Sequence, residues 1–481
     1  MGVQLGSPFL GNMQLEGIQQ PGQIGELLKA LNAGSDTAPG GSDPSGYALR
    51  PESLERTLAI QTFKDRHVQF WKNIPKEAAF STVEEYDRLE SYGPERLSAF
   101  MSEGNLPVGD DASYSRQTVQ VKYMGTLRVV SHQMGIVRSI VGDQVAQETR
   151  NGTLWLMRQL EKALFFGSSS LVDTQFDGVY ELLQAAISSG AADASNLIDR
   201  RSSANAGVGT ALDGDALDEA SELVHSSPNF GTLDCVYYGT GAHRSTGTQL
   251  FGTARDRVRL NADAQKGGAV NPGWKFEQFS TLFGDLDMKP NVFLNPTKYT
   301  AAELNAAAYA SGDVATRAGT PTLAVAEAGT DGLFGTETGV YKYIVVAVNS
   351  AGNSVGSTAA SHTLTGGAKH VAVTITKGAG GTPSGYVVYR STKGTTNYYE
   401  VARIAYATSP QTWNDANERI AGTSIAFAFT TGADVLAYKQ LAPFMRIPLA
   451  TITLQTRWAQ ILYGAPVLKS PRKIVVWKNV L

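Results

Sequence analysis

The chain has 481 residues, 41 basic and 44 acidic side chains, a formal net charge of −3 and one cysteine. Proteins that grip nucleic acid electrostatically carry a basic excess, so this balance argues against that class. The single cysteine excludes an intrachain disulfide and a cysteine-rich zinc site. No apolar run reaches 18 residues, and the first residues fit neither a signal peptide nor a myristoylation pattern. We therefore expect a soluble protein that is made in a cytoplasm.

The first segment, residues 1–50, is rich in glycine and proline. Only one short helix is predicted there, at 24–31, and the remainder has too few apolar side chains to fold alone. We interpret the segment as an extended arm, and a disordered tail fits its composition equally well. A helix is then predicted from Pro51, because proline is favoured in the first turn, and the apolar residues of 63–71 are predicted partly as strand.

Residues 101–135 are predicted to form a long hairpin. Its tip, 104–111, is rich in turn-forming residues, and an alternating run follows in which Val119, Val121 and Tyr123 share one face. A two-stranded ribbon is marginally stable alone. We therefore expect its free face to pack on another subunit rather than remain exposed as a β-edge.

Residues 139–167 carry the clearest helix pattern. Gly152, Leu156 and Leu160 belong to a set that recurs every three or four residues, and Gly167 is predicted to end the helix. At ~1.5 Å per residue the helix would be roughly 35–40 Å long. It is long enough to act as a structural spine.

Helix and strand patterns alternate through residues 171–315, which indicates an α+β or mixed α/β region. A helix is predicted after the acidic start at Asp213, and another over 300–310. Short apolar strands are predicted at 233–238 and 291–294.

Residues 316–422 differ from both flanks, because glycine, threonine, valine and tyrosine dominate and charged residues are sparse. Short runs separated by turns predict a β-sandwich of about 100 residues. The earlier pattern resumes at 423–481, so the sandwich is predicted to be an insertion whose ends, near Thr316 and Gly422, lie close together. A sandwich with its own core would add little buried area to the rest of the chain.

Several groups of residues could carry chemistry, but each has a simpler explanation. A carboxylate cluster lacks the ligand alternation of a calcium loop and fits helix capping. A second acidic group lies on the predicted hairpin tip, where a solvated or partner-facing loop is expected. A glycine-rich turn lacks the signatures of dinucleotide and phosphate loops, the histidines lack metal-ligand spacing, and Cys235 falls in an apolar strand, as a buried thiol would. The carboxylate cluster is Asp213, Asp215, Asp218 and Glu219, and the acidic group on the hairpin tip is Glu103, Asp110 and Asp111. The glycine-rich turn is 239–245, and the histidines are His67, His132, His225, His243, His362 and His370. We predict no catalytic, cofactor-binding or metal-binding residues and a protein that is not an enzyme.

The order of these parts, together with three stretches, resembles the major capsid proteins of tailed double-stranded-DNA bacteriophages. The stretches are 119–133, 283–294 and 442–468. This resemblance implies an α+β Hong Kong 97-type fold with peripheral and axial domains. Its parts would be an N-terminal arm (1–50), a first core part (51–315) with an extended loop (101–135) and a spine helix (139–167), the insertion (316–422) and a C-terminal core part (423–481). Two stretches of the insertion, 341–354 and 385–391, resemble immunoglobulin-like or fibronectin type III domains.

The resemblance implies a shell protein that self-assembles into the hexamers and pentamers of an icosahedral phage head. It would enclose double-stranded DNA without sequence-specific binding, need no cofactor and bind no membrane. Further partners would be a separate scaffolding protein and a portal, with decoration proteins as an additional option, and the insertion would be exposed on the shell. The protein would belong to the virion and be assembled in the cytoplasm of a bacterial host. The alternative is a surface-exposed binding module in which the sandwich recognises carbohydrate or protein.

Overall fold

The structure, a computed structural model, describes residues 62–93, 100–106, 109, 111–137, 143–250, 277–450 and 453–481. The predicted arm and the helices predicted at 24–31 and from Pro51 lie outside these residues. The described helices are α1 Phe70–Asn73, α2 His132–Ile136, α3 Gln144–Phe166, α4 Val179–Ser188, α5 Gly214–His225, α6 Thr240–Leu250 and α7 Ala301–Asn305. The described strands are β1 Lys76–Ala78, β2 Val83–Ser91, β3 Ser113–Gln120, β4 Lys122–Ser131, β5 Leu197–Asp199, β6 Cys235–Tyr238, β7 Gln278–Thr281, β8 Gly284–Pro290, β9 Thr322–Ala328, β10 Gly339–Asn349, β11 Gly352–Asn353, β12 Ala360–Leu364, β13 His370–Thr376, β14 Gly385–Ser391, β15 Tyr398–Ala405, β16 Gln411–Asp415, β17 Ser424–Phe429, β18 Leu436–Pro448, β19 Gln455–Leu468 and β20 Ile474–Val480. This mixture of helices and sheets confirms the predicted α+β class.

The predicted spine helix is α3, and its two ends have local causes. Asp143 caps the first turn by accepting a hydrogen bond from the amide of Val145. The helix stops at Gly167, where a β-carbon would lie 2.4 Å from the carbonyl oxygen of Phe176. At ~1.5 Å per residue its 23 residues give a length of about 35 Å.

The buried side of α3 agrees with the predicted face. Gly152, Leu156 and Leu160 are all buried. Gly152 lies where the helix crosses β19, and a β-carbon there would come within 2.2 Å of Oε1 of Gln460. Only a residue without a side chain fits this crossing unless Gln460 moves.

The hairpin lies further towards the N terminus than predicted. Its arms are β2 and β3, which form their own two-stranded antiparallel sheet, whereas β4 leaves the hairpin and pairs with β19. Between β3 and β4 the amide of Val121 donates to the carbonyl of Thr82, and the side chain of Val121 is buried. This break shifts the alternation by one residue, so Tyr123 is exposed and does not share the face of Val121.

Three other predicted elements differ from the structure. Phe70 and Trp71 belong to α1 rather than to a strand, because an acceptor from α3 caps their amides. The strand predicted at 291–294 is a 3-10 turn, which the Asn291 side chain initiates by accepting from the amide of Phe293. The helix predicted over 300–310 is only α7, which ends at Asn305.

A six-stranded mixed sheet lies at the centre of the molecule, in the order β5-β20-β17-β6-β8-β7. Side chains of α3 and α4 belong to the apolar cluster on one face, and those of α5 belong to the cluster on the other. Because both faces are covered, its central strands are apolar throughout rather than alternating. The C-terminal strand β20 is part of this sheet, so residues 423–481 return to the same core.

The residues of the predicted sandwich form two further sheets. One has five strands, β11-β10-β14-β15 with β12 also beside β10, and the other has three, β16-β13-β9. Side chains from both sheets meet in one apolar cluster that includes Tyr343, Val373 and Tyr386. The division of the chain at residues 316 and 422, and the likeness to immunoglobulin domains, stay predictions.

The outer face of the five-stranded sheet is also covered, by residues from outside the predicted insertion. Leu171 and Leu304 are 5% and 0% exposed, and they pack in a second cluster with Val346, Val387 and Tyr389 of the sheet. The expectation that this region adds little buried area to the rest of the chain is therefore wrong. The sheet is an internal layer, with apolar side chains packed against both of its faces.

Candidate subunit-contact surface

The large apolar side chains that are exposed are unevenly distributed. Of 27 such side chains among the described residues, 14 lie in 80–137 and four in 445–454, whereas only two lie in 316–422. Isolated exposed apolar residues are normal, but a concentration of them marks an interaction surface. The hairpin and the adjoining sheet are therefore the candidate contact surface.

The inner face of the hairpin is fixed to the body by polar contacts. The hydroxyl of Tyr86 donates to the carbonyl of Leu468 at 3.1 Å, and Nε of Arg88 donates to the carbonyl of Lys469 at 2.8 Å. These contacts hold β2 against the end of β19. The base of the hairpin is thus oriented by hydrogen bonds from β2 and by Val119 of β3, which packs against the apolar core.

The remainder of the hairpin projects from the body. On its outer face Arg116 lies between Asp87 and Glu85, at 3.1 and 3.4 Å. Towards the tip, Tyr92, Phe100 and Leu106 are 89%, 95% and 91% exposed, and they are joined by the exposed members of the predicted acidic loop, Glu103 and Asp111. Asp110 lies outside the described residues. Exposure at this level leaves most of the transfer free energy of Tyr92 and Leu106 unused within the described chain.

The base of the hairpin carries a compact ionic cluster. The Glu77 carboxylate lies 2.5 Å from Nζ of Lys469 and 2.9 Å from Nζ of Lys439. Burial alone would raise the pKa of Glu77, but the hydrogen bonds and charges of the two lysines outweigh it and lower the pKa. This cluster ties β1 to β18 and β19 immediately before the hairpin begins.

The sheet β1-β18-β19-β4 presents an apolar outer face. Tyr123 and Tyr463 are cross-strand neighbours in an edge-to-face contact, with centroids 4.8 Å apart. Further along, Ala459 lies between Leu127 and Ile447, which are 58% and 39% exposed. The opposite face of the sheet lies on α3, so this outer face is the one left uncovered by the described chain.

The opposite face of that sheet is covered by the spine helix α3. Nε2 of Gln460 donates to the carbonyl of Thr149 in α3 at 2.7 Å, and Leu462 is 1% exposed. Arg128 lies 3.6 Å from Glu148 of the same helix. The sheet is therefore packed on one face and open on the other.

A carboxylate that the sequence did not single out lies at the centre of the body. Glu161 of α3 is fully buried, and its oxygens accept hydrogen bonds from the amides of Gln69, Phe70 and Trp71 and from the side chain of Asn291. Burial raises the pKa of Glu161, although these hydrogen bonds act in the opposite direction. The sequence did contain a signal for this buried carboxylate, because Glu161 lies on the same face of the predicted helix as Leu160 and Leu164.

Polar contacts join the predicted sandwich to the body on two sides. Arg403 of β15 donates to the carbonyl of Phe166, the last residue of α3, and so satisfies a helix-end acceptor. Arg201 donates to the carbonyls of Leu333 at 3.3 Å and Asn417 at 3.2 Å. The first of these contacts fixes the sandwich to the spine helix and the second fixes it close to β20.

The residues with predicted structural roles are placed as follows. Asp213 caps α5 through the amide of Ala216, which confirms the capping interpretation, and Cys235 is a buried free thiol, as predicted. Burial raises the pKa of that thiol. The turn at Gly239 leads directly into α6. Within the described residues, no three His, Cys, Asp or Glu side chains come together as a metal site would require, and none of the helices is both long and apolar enough to cross a membrane.

Comparison with known proteins gives relatives along almost the whole chain. No family model matches the sequence. The chain is 26% identical over 482 aligned residues to the putative major capsid protein of Enterococcus phage phiEF24C, covering 97% of this chain and 96% of that protein. It is 24% identical to the major capsid protein of Staphylococcus phage K, covering 95% of each. The predicted resemblance to phage major capsid proteins is confirmed.

Solved structures give weaker likenesses. The capsid of Myoviridae phage XM1 is 7% identical with a TM-score of 0.43, covering 89% of this chain and 97% of that one. The holo-SrpI encapsulin complex from Synechococcus elongatus PCC 7942 is 9% identical with a TM-score of 0.41, covering 90% and 93%. These TM-scores are below 0.5, so the functional interpretation rests on the sequence relatives and on the geometry above.

Proposed function

We propose that this chain is a major capsid protein, the repeating subunit of a tailed-phage head. The observation that carries the proposal is the match to proteins of this name over 95–97% of the chain. An end-to-end match supports a role for the whole chain rather than for one module of it. The role is structural, and it requires neither a catalytic residue nor a cofactor.

The exposed surface supports the same proposal. A shell subunit must leave apolar area uncovered in the monomer, because that area becomes buried between copies. The hairpin and the outer face of the sheet β1-β18-β19-β4 provide such area, with Leu106 and Leu127 as examples. Each copy would lay its hairpin on a neighbour, and copies would form the hexamers and pentamers of an icosahedral head.

Further parts of the proposal come from the resemblance alone. A scaffolding protein and a portal would take part in assembly in the cytoplasm of the bacterial host, with decoration proteins as an additional option. The finished shell would be part of the virion and enclose double-stranded DNA without reading its sequence. The net charge of −3 suits an inner surface along which DNA can move.

The alternative is a binding module for carbohydrate or protein, and its carbohydrate form needs well-exposed aromatic rings on the sandwich. Five of the seven tyrosines in 316–422 are buried, with Tyr343, Tyr386 and Tyr398 at most 1% exposed, and the rings of Tyr399, Tyr406 and Trp413 are only partly exposed. The two large apolar side chains that are exposed in 316–422 are Leu333 and Val340, which offer no ring for stacking. This distribution favours the capsid proposal.

Electron microscopy of the expressed chain, alone and with scaffolding candidates, tests the proposal. We expect closed or tubular particles built of repeating units. A soluble, folded chain that remains monomeric in every condition, including with the scaffolding proteins of related phages, would contradict it.

A further inference from the structure

Glu161 has an unusual set of partners for a buried carboxylate. Its Oε1 accepts from the amides of Gln69 at 3.1 Å and Phe70 at 2.8 Å and from Nδ2 of Asn291 at 2.7 Å, and its Oε2 accepts from the amide of Trp71 at 2.9 Å. It forms no salt bridge within the described part of the chain. All of its stabilisation there comes from four neutral donors, three of which are consecutive backbone amides.

These amides belong to the start of α1, which has only four residues. The first amides of a helix have no acceptor within the helix, and in so short a helix they are most of its donors. A side chain about 90 residues away in sequence supplies the missing acceptors. The conformation of this turn is therefore set by the spine helix rather than by its own sequence.

The position of this turn determines where the hairpin begins. Phe70 and Ile74 are buried, and Phe70 stacks on Phe165 of α3 with ring centroids 4.5 Å apart. The chain then passes through the short strand β1 and enters the hairpin at Val83. Only eight residues lie between the anchored Ile74 and Val83, and they include β1, which Glu77 ties to β18 and β19. The turn α1 and the strand β1 together therefore anchor the base of the hairpin.

Asn291 extends the contact to a third part of the body. Its own amide donates to the carbonyl of Tyr238 at 2.8 Å, and its Oδ1 accepts from the amide of Phe293. Asn291 is fully buried. The carboxylate of Glu161 thus joins the spine helix, the root of the hairpin and the end of the central sheet.

We propose that Glu161 is a positioning residue for assembly, which acts with the contacts of Tyr86, Arg88 and Glu77 to fix the direction in which the hairpin leaves the body. This inference rests on the proposed capsid function, because the hairpin is the element offered to a neighbouring copy. The carboxylate has no chemical role in it. Its role is to accept hydrogen bonds on both oxygens. A neutral side chain of the same size, such as glutamine, has only one acceptor oxygen and cannot replace it.

The test is the variant Glu161→Gln, which keeps the size of the side chain but replaces one acceptor oxygen with a donor. The control is Glu148→Gln on the same helix, whose carboxylate lies 3.6 Å from Arg128 rather than against α1. In folded subunits, hydrogen exchange at the amides of 69–71 should rise about 10- to 100-fold in E161Q, as expected for losing a hydrogen bond to a charged acceptor. Exchange in 76–91 should rise with it, whereas the sandwich should be unchanged.

Particle formation supplies the second readout. E161Q subunits should assemble severalfold more slowly or into irregular particles, while E148Q should behave as the unmodified chain does. If E161Q does not fold, Glu161→Asp, which keeps the charge but shortens its reach, is expected to fold and to show the same local loss of protection. Unchanged exchange at 69–71, or an equal rise over the whole molecule, would overturn the proposal.

The outcomes also separate this inference from the proposed function. If the unmodified chain forms no particles, the capsid proposal fails, but the exchange measurement on subunits still decides whether Glu161 positions the hairpin. If the unmodified chain assembles and E161Q assembles at the same rate with the same protection of the hairpin, only the positioning role is overturned.

Discussion

The hairpin and the sandwich are both built of strands, yet they use their apolar side chains in opposite ways. In the sandwich, Tyr343 and Val346 point to opposite faces of one strand and are at most 1% exposed. In the hairpin region, Tyr92 and Leu106 are 89% and 91% exposed. The sandwich obtains its stability from within the chain, whereas the hairpin leaves the corresponding area for a partner. An assembling subunit needs both kinds of region. The internally packed region keeps the subunit rigid, and the exposed apolar region provides the surface that a neighbouring copy covers.

The largest expected effect follows from removing the sandwich. Replacing 316–422 with a short Gly/Ser linker would uncover Leu171, Leu304, Tyr299 and Tyr309, and the apolar area lost is worth about 5 kcal/mol or more. This is comparable with the whole stability of a domain, so we expect the deleted chain to be insoluble or unfolded. Solubility and circular dichroism measure this.

A tolerated change in the same region sharpens that prediction. Lys393 and Gly394 are exposed in the turn between β14 and β15, so a three-residue insertion after Gly394 should leave the subunit folded. A soluble, folded deletion variant that assembles normally would mean that the sandwich is a separable decoration after all.

The next effect concerns the interior of the sandwich. Nη1 of Arg390 lies 2.6 Å from Oδ2 of Asp415, and both side chains are 2% exposed. The substitution R390M leaves a buried carboxylate without its cation, which should cost about 3–5 kcal/mol in the free energy of unfolding. Chemical denaturation measures the loss. The double variant R390M/D415N should recover part of it, and a double variant as unstable as R390M would contradict this account of the pair.

A smaller effect, and one that depends on pH, concerns Glu327 in β9. The amide and hydroxyl of Thr365 and the amide of Gly366 donate to its carboxylate, and the backbone hydrogen bond from Thr365 is the largest cause of a pKa lowered to about 2. A carboxylate whose pKa is lower in the folded state than in the unfolded state stabilises the fold at a pH above its unfolded-state pKa. This stabilisation is lost as the pH falls through its folded-state pKa. E327Q should therefore be less stable than the unmodified chain at pH 5 to 7, and the difference in melting temperature should vanish towards pH 2. A constant difference across this range would contradict it.

The smallest effect on subunit stability is expected in the hairpin. Y92S and L106S alter exposed side chains, so the free energy of unfolding should change by less than about 0.5 kcal/mol. Particle yield should nevertheless fall, because the lost area is buried only between copies. The matched control is V340S at an exposed position of the sandwich, which should leave the yield unchanged. Normal assembly of Y92S and L106S would remove the distinction between the two regions.

Local signals explain what could be predicted from the sequence. The spine helix was located because Gly152, Leu156 and Leu160 keep its period and because Gly167 ends it, whereas the cap at Asp143 was not predicted. The capping role of Asp213 is equally local, since its acceptor lies three residues from its donor.

One error has a local cause, and the others have non-local causes. The strand β2 reads Val-Glu-Glu-Tyr-Asp-Arg-Leu-Glu-Ser, and its polar composition concealed one arm of the hairpin. The turn α1 depends on Glu161, about 90 residues away, and the coverage of the five-stranded sheet depends on Leu171 and Leu304. Alternation within a strand shows that a face is buried but not which part of the chain covers it. The sequence predicted a hairpin in this part of the chain, but it placed the hairpin at 101–135, whereas the observed hairpin begins at Val83.

The comparison of hydrogen exchange in free subunits and in assembled particles tests the central claim most directly. The account predicts that residues 83–120 gain strong protection on assembly, while the sandwich strands between 322 and 415 are well protected in both states and change little. Equal protection of the hairpin in both states, or a gain confined to the sandwich, would contradict the claim that the hairpin is the surface through which copies of this chain assemble.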